Sequence, residues 1–331
     1  MKTTKLGATG PATSAIGLGC MGMSDMYGPS DRAESIATIH AALDAGVDLI
    51  DTGDFYGMGH NELLIAEALK GRPRDDYKLS VKFGALRGPD RSWLGFDGRP
   101  EAVKTFLAYS LNRLGVDHID VYRPARLDPD VPIEETVGAI ADMVKAGYVR
   151  HVGLSEVGAD TLRRAVAVHP IADLQIEYSL ISRGIEDKVL PAARELGVAI
   201  TAYGVLSRGL ISGHWDKAKA GQGDFRAVSP RFQGDNLDAN LQLVDALRKV
   251  ADAKGASVAQ IAIAWVMAQG RDVVPVVGAR RRDRLSEALG AAEIALDAED
   301  LAAIERAVPK GAAAGERYAA AQMAHLDSEK A

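Results

Sequence analysis

The sequence predicts an α/β protein folded as one closed (β/α)8 TIM barrel. Three observations predict it. Eight short apolar runs recur along the 331 residues, each followed by a stretch with helical periodicity. No mid-chain linker or composition break divides them, so residues 1–331 read as a single domain. The 34 glycines suit many tight connections between regular elements. An open doubly wound sheet is the alternative, but eight strand–helix units in one chain favour closure.

The elements follow in order. A short N-terminal segment reads as a β-hairpin, and Leu18-Gly19-Cys20 as the first barrel strand. Asp31 opens a helix with Ile36, Ile39 and Leu43 on one face, ended by Gly46. The remaining strands are Val47–Ile50, Lys78–Lys82, His118–Tyr122, Val149–Leu154, Ile171–Ile176, Val198–Ala202 and Val273–Val276. Helices are expected over 61–70, 101–114, 133–145, 159–168, 186–196, 237–254, 257–269 and 283–289, with extra helix near the C-terminus at 300–307. Glycine or proline ends most of them. A long polar loop, 203–235, reads as a cofactor lid. An Ala/Gly-rich stretch, 309–331, reads as a flexible tail.

Composition excludes several classes. Hydrophobic residues are 47% and charged residues 25%, a globular balance that rules out disorder and fibre. No apolar run is long enough to span a bilayer, and no secretory h-region follows Met1. A lone Cys20 rules out a disulfide framework and a multi-cysteine metal site. The seven histidines have no zinc-type spacing. These features lead to the expectation of a cytoplasmic protein without a metal or a membrane partner. The net charge of −6 argues against general nucleic-acid binding. Nothing in the sequence sets the oligomeric state.

Gly17-Leu18-Gly19-Cys20-Met21-Gly22 fits the dinucleotide formula G-x-G-x-x-G. That formula has force only where a strand leads straight into a helix. Here loop chemistry follows, Met23 to Pro29, so the expected reading is a barrel strand with a glycine-rich exit.

In a (β/α)8 barrel, chemistry gathers at the C-terminal ends of the strands. Those ends carry Asp51 and Tyr56 after the second strand and Lys82 at the third. A buried lysine beside a phenol favours the phenolate, so Lys82 is expected to lower the Tyr56 pKa from about 10, with Asp51 holding the lysine charged. Such a tyrosine suits protonation of an oxygen, as in carbonyl reduction. Taken singly, Tyr56 also reads as a half-buried aromatic and Lys82 as a barrel lysine paired with a core carboxylate. Trp93 and Phe96 are expected to wall the substrate pocket or simply to pack at the surface.

These residues and their order carry a family resemblance. The segments Gly17–Met23, Asp51–Gly57, Asn61-Glu62, Val81–Gly84, Leu114–Tyr122, Ile133–Val144, Gly153–Glu156, Gln175, Tyr203–Leu210, Asp224–Phe232 and Val274–Arg284 resemble an aldo-keto reductase. The branch is that of bacterial general reductases, similar to potassium-channel β subunits. The resemblance implies a barrel that binds NADP(H) without a Rossmann fold and passes hydride to an aldehyde or ketone. It implies that Asp51, Tyr56 and Lys82 are members of a catalytic tetrad, with Tyr56 the general acid. Gly22 and Met23 would flank the cofactor. Ser155 and Gln175 would hold the nicotinamide carboxamide, beside Glu156, which stands where many relatives have Asn. Tyr203 would stack on the ring, and Leu206, Ser207 and Gly209 would line the pyrophosphate path. Gly278, Arg280 and Arg284 would meet the adenosine 2′-phosphate, and Glu287 the adenine. Guanidinium groups at a helix start suit a phosphate dianion, although such a cluster also reads as a solvated helix face.

Two departures stand out. Ala125, in Tyr122-Arg123-Pro124-Ala125-Arg126-Leu127-Asp128, replaces the tetrad histidine. Losing one oxyanion donor costs roughly 2.7–4 kcal/mol of transition-state stabilisation. Three interpretations follow: a pocket enlarged for a bulky carbonyl; a substitute donor, for which Arg123 shares Ala125's side of the strand unless it is an internal ion-pair residue; or an NADPH-binding regulatory or redox-sensing protein with little turnover. Ala288 replaces an adenine-binding Asn. A non-redox barrel enzyme is a further class, but it leaves Gln175, Arg280 and Arg284 without a role.

Overall fold

The computed structural model describes residues 1–24, 26–215 and 224–330. Eight parallel strands close into a barrel, each beside its sequence neighbour. They are Gly17–Gly19, Leu49–Gly53, Lys78–Phe83, Ile119–Pro124, Val149–Ser155, Ile171–Glu177, Ala199–Tyr203 and Val273–Gly278. Helices α1 (Arg32–Asp44), α2 (His60–Leu69), α3 (Pro100–Leu114), α4 (Ile133–Lys145), α5 (Ala159–Val168) and α6 (Val189–Glu195) follow the first six strands. Next come α7 (Gly234–Ala253), α8 (Val258–Ala268), α9 (Arg282–Gly290) and α10 (Ala298–Ala307). Local signals place their ends. The Asp31 carboxylate caps α1 at Glu34 N (2.7 Å), Ser257 and Gln260 close a capping box on α8, and Gly115 ends α3 at φ 68°. No described helix is long and apolar enough to cross a membrane.

Strand residues alternate between the helix layer and the barrel interior. Inside, the lowest layer is apolar: Leu49, Val121, Ala199 and Val274, plugged from below by Leu6 of the N-terminal hairpin Thr3–Lys5/Ala12–Ser14. Above it the layer turns polar. Arg123, fully buried, donates from Nη2 to both oxygens of Asp173 (2.9 and 2.7 Å) and from Nη1 to Ser80 Oγ (2.9 Å) and Asp51 Oδ2 (3.3 Å). Thr201 also donates to Asp173. Gly153 makes room for this layer: a Cβ there would lie 2.5 Å from Asp173 Oδ1 and 2.8 Å from Arg123 Nε. Arg123 is therefore an internal ion-pair residue rather than a pocket donor.

Several expectations need revising. The first strand ends one residue earlier than read from sequence, and Met21–Met23 is a 3-10 turn. The next helix begins only at Arg32, so the G-x-G-x-x-G run does not form a Rossmann turn. A second hairpin, Ala85–Arg87/Trp93–Phe96, carries Trp93 and Phe96 to the barrel mouth. The stretch 203–235 is built from 3-10 turns at Ser207–Ser212, Phe225–Val228 and Pro230–Phe232. Of the expected lid, residues 216–223 lie outside the described residues. The stretch 309–330, expected to be flexible, packs onto the mouth. Arg317 binds Glu156, Asn240 binds the Ala314 backbone, and Asp327 Oδ2 accepts from Gly158 N (2.9 Å). A short helix, α11 (Ala320–Met323), lies within it.

Candidate active site

The carboxyl ends of the strands open into one cavity of ≈ 590 Å³. Asp51, Tyr56, Lys82, Ser155, Gln175 and Tyr203 line it, with Gly22, Leu206, Gly209, Gly278, Arg280, Arg284 and Glu287. Asp51, Lys82, Ser155, Gln175 and Tyr203 reach it from the strands, where the alternation points inward above the polar layer, while Arg284 and Glu287 come from α9 and Gly209 from the 3-10 turn Ser207–Ser212.

Asp51 is the hub. Its Oδ1 accepts from Lys82 Nζ (2.6 Å), and its Oδ2 accepts from Ser80 Oγ (2.7 Å) and Gln175 Nε2 (2.7 Å). Burial would raise the Asp51 pKa, but the charges of Lys82 and Arg123 outweigh it and hold the carboxyl low. Burial moves Lys82 the other way, below the ordinary lysine range, with Asp51 opposing. The Lys82 ammonium lies 5.2 Å from the Tyr56 ring centroid. Phe55 packs edge-on against Tyr56, with centroids 4.7 Å apart.

The Tyr56 phenol corrects one expectation. Its pKa is raised well above the ordinary 10, first by burial and next by the Asp51 charge, with Arg126 opposing. On balance the shift is upward, because burial and the Asp51 charge outweigh the neighbouring cations. Tyr56 is thus held as the protonated phenol across the neutral range rather than as a resting phenolate.

Three expected cofactor residues do not line the cavity. Met23 is buried in the main apolar core. Ser207, fully buried at φ 46°, is turned inward by its 3-10 turn, with Oγ 3.5 Å from Arg231 Nη1. Glu156, at φ 55°, is locked from the side: Arg317 Nη1 and Nη2 donate to it (2.9 and 2.6 Å), as do Tyr203 Oη (2.7 Å) and Ser328 Oγ (2.8 Å). Burial pushes its carboxyl up, but Arg317 outweighs this and holds it far below the carboxylate range. Tyr203 spends its hydroxyl on Glu156 and stands 2.9 Å from Tyr318 Oη.

The remaining lining suits a nicotinamide dinucleotide. Ser155 Oγ is buried without a partner among the described residues. Ser155 pairs in register with Gln175 on the next strand, whose amide oxygen remains an acceptor after Nε2 is spent on Asp51. A hydroxyl and an amide oxygen side by side match a carboxamide. At the other end Arg280 is half-buried, donates to the carbonyls of Tyr27 (3.0 Å) and Pro29 (3.2 Å), and has no carboxylate within 4 Å among the described residues. Arg284 is already paired with Glu287 (3.0 Å), and His214 also meets Glu287 (2.9 Å).

Sequence reasoning missed several lining residues. Arg126 stands directly after Ala125 in the departing motif, and that position was its only signal. Arg208 and Arg226 come from the long loop, and Tyr318, Gln322 and His325 from the C-terminal stretch, where no periodicity marks them. Trp93 and Phe96 do line the cavity, delivered by the second hairpin.

Comparison with known proteins finds relatives over nearly the whole chain. A probable aldo-keto reductase 1 from Glycine max is 41% identical over 321 residues, 96% of this chain and 92% of its own length. Two solved structures share the fold across nearly their whole lengths. A glycerol dehydrogenase from Gluconobacter oxydans has a TM-score of 0.84 at 28% identity, covering 99% of this chain and 97% of its own. An aldo-keto reductase from Bacillus halodurans, in holo form, has a TM-score of 0.78 at 27% identity, covering 94% and 97%. The model of the aldo/keto reductase family matches residues 15–309. With its closed barrel and the Asp51–Lys82 pair beside Tyr56, the chain belongs to the aldo/keto reductase family of oxidoreductases, which act on small carbonyl compounds with a nicotinamide cofactor.

Proposed function

We propose that this protein is an NADPH-dependent reductase that converts an aldehyde or ketone to an alcohol, with Tyr56 as its general acid. One observation carries the reading: the Asp51–Lys82 pair and Tyr56 share a single cavity with an orphaned Ser155 hydroxyl and a carboxylate-free Arg280. Ser155 and Gln175 would hold the carboxamide, Tyr203 would lie against the ring, Leu206 and Gly209 would border the pyrophosphate, and Arg280 would take the 2′-phosphate. When bound, the reduced nicotinamide supplies a hydride to the carbonyl carbon.

The chain's own residues do the rest. Tyr56 delivers its hydroxyl proton to the carbonyl oxygen as negative charge develops there. An alkoxide is a stronger base than a phenolate, so a phenol held above its ordinary range still transfers its proton downhill. Lys82 then lies close enough to compensate the phenolate left behind. Asp51 fixes Lys82 and keeps it charged against burial. Trp93 and Phe96 wall the cavity and exclude water from the reacting oxygen. The turns Ser207–Ser212 and Phe225–Val228, which carry the lining residues Arg208, Gly209 and Arg226, would border the bound pyrophosphate.

The cofactor test is direct. A panel of aldehydes and ketones should drive NADPH oxidation by the purified protein. Arg280→Ala should raise the KM for NADPH roughly tenfold or more, as expected for a lost charged hydrogen bond, with far less effect on NADH. Equal effects on the two cofactors would overturn the NADPH assignment. Absence of turnover on every carbonyl, in protein that still binds NADPH, would overturn the reductase reading in favour of a cofactor-binding role.

A further inference from the structure

Among the described residues, most Lys and Arg side chains at or beside the mouth already have a carboxylate. Lys82 holds Asp51, Arg208 holds Glu177 (3.3 Å), Arg226 holds Asp224, Arg284 holds Glu287, and Arg317 holds Glu156. Among the described residues, two guanidiniums lining the cavity lack one within 4 Å: Arg280 at the outer end and Arg126 on the Tyr56 side. A half-buried cation without a counter-ion is costly unless a ligand supplies the charge. Arg280 has the cofactor phosphate in the reading above. Arg126 has nothing assigned to it.

Arg126 follows Ala125 at the end of the fourth strand. Its Nη1 folds back onto the Ala125 carbonyl (2.6 Å), so the guanidinium occupies space beside a residue whose own side chain is a methyl. Among the described residues its other hydrogen-bond partner is Tyr318 Oη, at 3.5 Å from Nη2, with the Tyr203 phenol and Glu156 also near enough to favour its charge. Glu156, the carboxylate its charge influences, is already satisfied by Arg317, Tyr203 and Ser328. Arg126 lines the cavity with no carboxylate within 4 Å among the described residues, and a planar guanidinium is suited to grip a carboxylate with two parallel bonds.

We propose that Arg126 is the substrate-anchoring residue of this site and that the substrate is a carbonyl compound bearing a carboxylate. This rests on the reductase reading and names the substrate class within it.

Two aldehydes matched in shape but not in charge test this: 4-carboxybenzaldehyde and its methyl ester, methyl 4-formylbenzoate. The readout is the acid-to-ester ratio of kcat/KM with NADPH, in the parent protein and in Arg126→Gln. In parallel, calorimetry of each aldehyde with the NADP+-bound protein gives the ratio of affinities without turnover. The parent should favour the acid. Arg126→Gln should lower the acid-to-ester ratio at least threefold, and on the order of tenfold for the loss of one charge-assisted pair. Arg126→Lys should fall between the two, and it serves if the glutamine variant does not fold. A ratio that falls less than threefold while the ester is still reduced would overturn the anchor and leave the reductase reading standing. Acid-selective binding that needs Arg126, with neither aldehyde reduced, would support the anchor and overturn the reductase reading.

Discussion

At the scale of single residues, Asp54 shows how strongly burial shifts a carboxyl beside the site. It lies two positions before Tyr56, 8% exposed, with Oδ1 unpartnered among the described residues and Oδ2 accepting a long bond from Gly84 N (3.4 Å). Burial first, then the Glu62 charge, push its pKa up to about 8. The folded pKa lies above the unfolded carboxylate value, so the native state binds an extra proton between them. Stability from this group therefore falls as pH rises from about 4 to about 8 and is level beyond. Asp54→Asn removes the titration. Its thermal midpoint should match the parent near pH 4 and exceed it by a growing margin up to pH 8.5; a constant difference across that range would contradict the account. The same physics explains one wrong sign in the sequence reading. Asp51, Tyr56 and Lys82 were legible as strand-end residues, but the burial and the Asp51 charge that together set the direction of the Tyr56 shift were not.

At the scale of elements, the strands and helices were readable because period and punctuation agree along most of the chain. Gly115 and the Ser257/Gln260 box mark helix ends in sequence and in space. The C-terminal stretch was not readable. Its contacts lie far away in sequence, with Arg317 meeting Glu156 across 161 positions, and its composition of alanine and glycine gives no apolar period. Glu156 was read as a cofactor contact for the same reason, since only the fold reveals Arg317 beside it. Arg317 should be the clasp of this element. Arg317→Met leaves Glu156 buried and charged, and should cost about 3–5 kcal/mol in urea unfolding. Pairing it with Glu156→Gln should recover part of that loss, as expected for residues in contact. Additive losses in the double variant would show that the two side chains do not depend on each other.

At the scale of the whole molecule, the barrel sorts its interior by height. Leu6 and four aliphatic strand residues close the bottom, the Arg123–Asp173 layer fills the middle, and the cavity opens above. The sequence shows the eight units and their order, which is enough for closure. It does not show that Arg123 belongs to the middle layer and not to the pocket, because strand alternation gives a side chain's face but not which partner takes it. That distinction matters for function, since it leaves Arg126, two residues beyond the strand's end at Pro124, as a cavity-lining cation with no carboxylate within 4 Å among the described residues.

The central claim is that Tyr56 donates the proton in carbonyl reduction. Its most direct test is NADPH oxidation by the parent and Tyr56→Phe proteins on the same aldehyde, with NADPH affinity measured by fluorescence quenching for both. The account predicts that Tyr56→Phe binds NADPH within a few-fold of the parent and loses about 10²–10⁴-fold in kcat. It also predicts that the parent's kcat stays level from pH 6 to pH 9, because the Tyr56 phenol remains protonated throughout. A Tyr56→Phe protein that reduces the aldehyde at the parent's rate, with cofactor binding unchanged, would contradict it.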